Sequence, residues 1–237
     1  MTSAENSISI SNINVSQREL LVLKNVELTI QKGEFVYLIG KTGSGKSSLL
    51  KILYGELRLK DGNATVAGFN LIKLRKRKIL ALRRKLGIVF QDFQLLTDRT
   101  VEENLKFVMR ATGWKDKKKV KARTSELLEK VGMVEKGFKF PHQLSGGEQQ
   151  RIAIARALIN DPEIILADEP TGNLDPETTE EIMRLLFEIS GTGKTILMAT
   201  HDYDMMQRFP SRTLRCEDEA VTEINLAEAP EFNMNRF

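Results

Sequence analysis

Gly40-Lys41-Thr42-Gly43-Ser44-Gly45-Lys46-Ser47 decides how the rest of this sequence is read. The spacing is G-x-x-x-x-G-K-S/T, a loop pattern that cradles phosphates. Its glycines let successive backbone N–H groups turn inward as an anion nest. Lys46 can reach the β- and γ-phosphates of a nucleotide, and the Ser47 hydroxyl can ligate Mg2+. Just before the loop, Glu34-Phe35-Val36-Tyr37-Leu38-Ile39 is mostly apolar and rich in strand formers. Just after it, Ser48 to Tyr54 reads as a helix whose N-terminal dipole faces the same phosphates. Strand, glycine loop and helix in that order predict nucleotide binding by residues 40–48.

Working outward, the 237 residues suffice for one large domain or two small ones with a buried core. The hydrophobic and charged fractions, 41% and 29%, are those of an ordinary globular protein. No apolar run approaches the roughly 20 residues that span a bilayer, and the polar Met1 to Ser7 stretch is not expected to act as a signal peptide. A single cysteine, Cys216, excludes an intramolecular disulfide and fits a reducing compartment. The net charge of +4 is unevenly spread. Lys73 to Lys85 holds eight basic residues and no acid, and Lys115 to Arg123 holds Asp116 as its one acid. Such runs are most often solvated helix faces; an anionic lipid surface is the next reading and nucleic acid the third.

Ile8 to Val15 alternates apolar and polar residues, as a half-buried strand does, with a phase slip at Ser11-Asn12 that predicts a bulge. Leu21 to Ile30 continues in that style, and the turn Gln31-Lys32-Gly33-Glu34 leads into the loop strand. After Lys60-Asp61-Gly62-Asn63, another turn, Ala64 to Ala67 is a short strand. These pieces predict an antiparallel sheet flanking the nucleotide core. Val101 to about Met133 is periodic as a helix, and helical character continues to Leu158, where Asn160-Asp161-Pro162 breaks it. This insertion, about residues 92–160, is expected to form a subdomain. The cassette as a whole is expected over 1–225, with 226–237 a flexible tail.

Four apolar runs end at polar or small residues: Gly40, Gln91, Asp168-Glu169 and His201. Continuous apolar strands joined by helices predict a parallel sheet buried on both faces, and ligands bind at the carboxyl ends of such strands. Asp168 is then placed to hold Mg2+ through water, and Glu169 to act as general base on the attacking water. His201 either is structural, or orients that water or senses the γ-phosphate, and Gln91 is marked by spacing alone. Ser145 and Glu148 in Leu144-Ser145-Gly146-Gly147-Glu148-Gln149 form a capping box that opens a helix. The two glycines there would also expose N–H groups to an anion. A well-capped helix and an anion site are both compatible with that stretch.

Taken together, Gly40–Ser47, Gln91, Leu144–Gln149, Ile164–Glu169 and His201 resemble the nucleotide-binding domain of ABC ATPases, from about residue 8 to 225. The resemblance implies an α/β fold: a RecA-like parallel-sheet core of the P-loop NTPase kind, an antiparallel β-subdomain and an inserted α-helical subdomain. It implies Mg-dependent hydrolysis of ATP, with Ser47, Gln91 and Asp168 as metal residues and Glu169 and His201 as catalytic ones. It also implies a head-to-tail homodimer formed on ATP binding. In it, Ser145, Gly146, Gly147 and Glu148 of one copy cap the nucleotide held by Gly40, Lys41, Thr42, Gly43, Ser44, Gly45, Lys46, Ser47 and Ser48 of the other. Asp175 in Asn173-Leu174-Asp175 would be the D-loop residue crossing that interface.

Ala167 to Asp175 is similar to the branch that holds lipoprotein-releasing, macrolide-export and cell-division ATPases. Phe90-Gln91-Asp92-Phe93-Gln94-Leu95-Leu96 with Asp98-Arg99-Thr100-Val101 is most similar to the cell-division, FtsE-type members. That implies a peripheral subunit on the cytoplasmic face of the plasma membrane. Its integral membrane partner would resemble FtsX and would pass ATP-driven motion to cell-wall hydrolases. A lipoprotein-releasing or macrolide-export ATPase is the alternative, and an ABC protein acting on nucleic acid is not expected. One departure stands out: no aromatic lies between Met1 and Phe35, where the family usually stacks the adenine, so weak or base-tolerant nucleotide binding is the expectation.

Overall fold

The computed structural model describes residues 5–17 and 20–225; the tail expected over 226–237 lies outside the described residues. The chain opens with two long strands, β1 (Asn6–Gln17) and β2 (Leu20–Gln31), paired antiparallel. Their register shifts between Ile10 and Ile13, where Asn12 takes a left-handed φ of 54°. That is the phase slip legible at Ser11-Asn12. β3 (Phe35–Ile39) runs into the glycine loop, which opens α1 (Lys46–Leu53). The helix starts two residues earlier than its apolar pattern suggests, because Gly45 at φ 98° serves as its N-cap.

β4 (Asn63–Val66) and β5 (Phe69–Asn70) complete a four-stranded antiparallel sheet in the order β2-β1-β4-β5. The first basic run then forms α2 (Lys76–Arg84), in which Leu82 is the one buried residue. It is a solvated helix face, the commonest reading of such a run. After β6 (Leu86–Phe90) comes the helical block: α3 (Val101–Ala111), α4 (Lys117–Lys130) and α5 (Gly146–Ala157), with two short 3-10 turns between the last two. The helical pattern read from Val101 to Met133 is thus broken once. Gly113 at φ 99° ends α3, and Asp116 caps α4 by accepting from the N–H of Lys118 (2.8 Å) and Lys119 (3.2 Å).

β7 (Ile164–Asp168), α6 (Pro176–Gly191), β8 (Thr195–Ala199), α7 (Tyr203–Arg208), β9 (Arg212–Glu217) and β10 (Ala220–Ile224) finish the chain. The last two strands carry no clean sequence signal. β9 sets Arg212 and Arg215 among its buried residues, and β10 is an edge strand with no fully buried side chain. The large sheet has the order β10-β9-β3-β8-β7-β6, parallel throughout except for β10.

Its central strands are buried on both faces and feed two cores by strict alternation. Phe35, Tyr37 and Ile39 of β3, Ile165 and Ala167 of β7, and Ile196 and Met198 of β8 pack with α3 to α6. Val36 and Leu38, Ile164 and Leu166, and Leu197 and Ala199 pack with α1 and the antiparallel sheet. A period of two on strands buried on both faces produces this split directly.

Candidate functional site: a phosphate loop facing two carboxylates

The four strands that end at chemistry are neighbours, in the order β3-β8-β7-β6. Their register aligns Leu38, Ala199, Asp168 and Phe90 in one row across the sheet. Just beyond this row, one residue on for Glu169 and Gln91 and two for Gly40 and His201, the four chemical positions emerge at the same edge of the sheet.

The loop after β3 needs its first glycine. A Cβ on Gly40 would lie 2.3 Å from the Cys216 carbonyl oxygen on β9, so no other residue lets the chain pass there. Burial pushes the Cys216 thiol up to about 12, which keeps it a neutral packing group. Lys46 is nearly fully buried, and its ammonium donates to the carbonyl oxygens of Gly40 (2.7 Å) and Lys41 (3.2 Å). Ser48 is buried behind it, whereas Lys41, Thr42, Gly43 and Ser47 face solvent. The Ser44 hydroxyl is buried without a hydrogen-bond partner, so one polar group of the loop is unspent.

Ser47 Oγ donates to Asp168 Oδ1 at 3.0 Å, which ties the helix start to the end of β7. Burial raises the Asp168 carboxyl above the usual aspartate range; the Glu169 charge adds to this, and the Ser47 bond and Lys46 oppose it. Glu169 follows with a left-handed φ of 48°, its N–H donating to the Ala199 carbonyl at 2.9 Å. This reversal sets its carboxylate between two other site groups. Oε2 lies 3.0 Å from His201 Nδ1, and Oε1 lies 3.9 Å from Lys46 Nζ. A cavity of about 260 Å³ lined by Glu169, Gly172, Leu174, Thr200 and His201 opens beside them.

Gln91 begins the loop after β6. Its Nε2 donates to Asn173 Oδ1 at 3.3 Å, and its amide oxygen has no hydrogen-bond partner among the described residues. Phe93 and Gln94 both take left-handed backbone angles, and Arg156 of α5 donates to both of their carbonyls, 2.8 Å to that of Phe93. Asn104 of α3 fixes the far end of the loop. It bonds the Leu96 N–H and carbonyl at 2.8 and 3.0 Å and also reaches the Arg99 and Thr100 carbonyls. Sequence reasoning missed both residues. The available signal was a lone arginine in an otherwise apolar helical face, Ile152 to Ile159.

Ser145 does cap α5: Ser145 N–H donates to Glu148 at 2.9 Å and Glu148 N–H to Ser145 Oγ at 3.2 Å. Lys136, 2.9 Å away, and the Ser145 N–H hold the Glu148 carboxyl below its usual range. A Cβ on Gly147 would lie 2.3 Å from Thr178 Cγ2, so this glycine lets α5 close on α6. Asp175 caps α6, accepting from Thr178 N–H at 3.0 Å and its hydroxyl at 2.6 Å. Among the described residues, neither Asp175 nor residues 145–148 make a hydrogen bond or ion pair with residues 40–48. One chain assembles the phosphate loop, the two carboxylates, His201 and Gln91, and leaves the capped α5 terminus apart. No helix among the described residues is long and apolar enough to cross a membrane.

A phosphate loop at the carboxyl edge of a parallel sheet, facing an Asp-Glu pair, with a helical insertion, defines a nucleotide-binding cassette. Residues 23–172 match the ABC transporter family, and the chain belongs to that family. Within it, the chain is 46% identical over 199 residues to the cell division ATP-binding protein FtsE of Streptococcus pneumoniae, spanning 84% of this chain and 86% of that protein. It is 42% identical over 196 residues to the protein of the same name from Bacillus subtilis, spanning 83% and 86%. Among solved structures, the dimeric post-hydrolysis state of the ATP-binding cassette MJ0796 bound to ADP and Pi superposes with a TM-score of 0.81. It is 36% identical, spanning 92% of this chain and 98% of that one.

Proposed function

We propose that this chain is the ATP-hydrolysing subunit of an FtsE-like membrane complex and that it works as an ATP-sandwiching homodimer. The observation that carries the reading is the placement of Glu169 between Lys46 and His201 at the end of β7. In this reading Lys46 leaves the carbonyls of Gly40 and Lys41 for the β- and γ-phosphates, and the N–H groups of residues 41–48 cradle them. Glu169 takes the proton of the attacking water as general base, and His201 holds that carboxylate and the water in line.

The donor set fits Mg2+: the Ser47 hydroxyl, the Asp168 carboxylate and the Gln91 amide oxygen are hard oxygens. A half-buried carboxylate with a raised pKa is also a group that a cation would settle. Bound there, Mg2+ would neutralise charge on the transferring phosphate. Ser145 to Glu148 supply the second half of the site from the partner copy, with Asp175 at the seam. This accounts for a helix N-terminus with two glycines that its own chain's phosphate loop does not use. The described residues then work as a single cassette, with residues 92–160 as its helical arm.

The membrane partner is an integral protein resembling FtsX, docked near the Gln91 loop, which places the chain on the cytoplasmic face of the plasma membrane. The similarity to the FtsE proteins supports this partner and a role in cell division. Glu169→Gln tests the core of the reading. ATP binding should persist while turnover falls by about 10²–10⁴, and an ATP-bound dimer should accumulate in sizing chromatography. Near-normal hydrolysis by this variant would refute the assignment.

A further inference from the structure

The helical block carries a second concave, strongly basic feature that hydrolysis does not use. A groove of about 460 Å³ runs between α3 and α4, and a neighbouring one of about 640 Å³ lies between the start of α4 and the turn before β6. Trp114 lines both, half-buried, its ring fixed by Nε1 donating to Asn160 Oδ1 at 3.0 Å. Six cations line these grooves without an ion pair among the described residues: Arg84, Arg110, Lys115, Lys117, Lys119 and Lys121. The acids that line them are already engaged. Glu102 pairs with Lys106, Asp116 caps α4, and Asp161 pairs with Lys194 at 2.6 Å.

A convergence of like charges around a fixed indole is unfavourable without a counter-charge, and it raises the local potential for a multivalent anion. We infer that these grooves form a binding site for a polyphosphate-type anion, held by Arg110 and the lysines at and just before the start of α4, with Trp114 lining both grooves. Apart from Arg84, which lines the second groove, the basic side chains of α2 lie on a solvated helix face with Leu82 alone buried. Ammonium and guanidinium groups are the ordinary partners of phosphate oxygens. A soluble polyphosphate and an anionic lipid headgroup share this chemistry. The inference is independent of the ATPase reading, since none of these residues touches the nucleotide site.

Trp114 is the chain's single tryptophan, so its emission reports on the grooves directly. The full-length Lys46→Ala protein, whose phosphate loop is weakened, is titrated with inorganic tripolyphosphate. In parallel it is titrated with phosphatidylcholine vesicles with and without phosphatidylglycerol. Each titration is repeated with Lys115→Gln/Lys117→Gln/Lys121→Gln added, substitutions at exposed positions. A saturable change with tripolyphosphate, weakened roughly tenfold or more by the triple substitution, supports a soluble anion. A change with anionic vesicles alone, lost in the same variant, supports a lipid headgroup. No change with either probe, or equal affinity in the triple variant, overturns the site. The triple substitution in a chain with an intact Lys46 should leave ATP hydrolysis unchanged, so failure of this site is distinguishable from failure of the ATPase reading.

Discussion

Glu169 occupies a backbone conformation that costs a non-glycine residue about 1–2 kcal/mol. Strain of this kind persists where the surrounding structure over-determines it, here through the Glu169 N–H bond to Ala199 and the His201 contact. Its neighbour Asp168 carries an electrostatic cost with a definite sign. The folded-state pKa is raised by burial, so its contribution favours the fold below the ordinary aspartate value and is lost as pH rises through the folded value. Asp168→Asn should therefore raise the melting temperature of the nucleotide-free protein at neutral pH. The gap should close as pH falls below the aspartate range, as thermal melts across pH would show. Excess Mg-ATP should reverse the order, because the carboxylate then has its cation. At this scale the sequence marked Lys46 and Ser47 through the spacing of the glycine loop, and Asp168 and Glu169 through their place at a strand end. It left His201 undecided, because spacing says nothing about which carboxylate a lone histidine will meet. The partner of Gln91, Asn173, lies 82 residues away and is set only by the register of β6 on β7.

The element that joins the Gln91 loop to the Ser145–Glu148 turn is α5. Its N-terminus carries Ser145 to Glu148, and ten residues on Arg156 grips the Gln91 loop at the Phe93 and Gln94 carbonyls. A guanidinium forks across two carbonyls in a way that a lysine does not. Arg156→Ala should cost about 1.5–3 kcal/mol in urea unfolding, and Arg156→Lys should recover little of it. Proteolysis within residues 91–96 should quicken in both. The existence of α5 was legible from its capping box, and the same pattern at Thr100 and Glu103, which opens α3, is equally explicit once noticed. The break at Gly113 was less so, because the apolar faces on either side of it are each periodic. β9 and β10 were illegible for a plainer reason. Arginines alternate with buried residues in one, and the other lies half-exposed at an edge, so neither shows the apolar contrast that marks a strand.

Across the whole molecule, one sheet serves two cores, and each central strand belongs to both. Leu166 faces the core shared with α1 and the antiparallel sheet, whereas Trp114 packs against the core on the other side. Leu166→Ala should cost about 2–5 kcal/mol. The Trp114 emission midpoint should fall together with the far-UV circular dichroism midpoint in denaturant; separated midpoints would mean that the two cores unfold independently. The parallel sheet and its flanking layers were readable in advance from continuous apolar runs, whereas the strand order came only with the pairing. The Arg156 clamp has a wider consequence at this scale. A loop fastened to the helix that bears Ser145 cannot be displaced without taking that helix along. In the proposed dimer, a body pressing on the Gln91 loop would change how well a second copy closes on the nucleotide, and closure would press back on that body by the same free energy. The traffic between the two would then be symmetric, the nucleotide governed by what it governs.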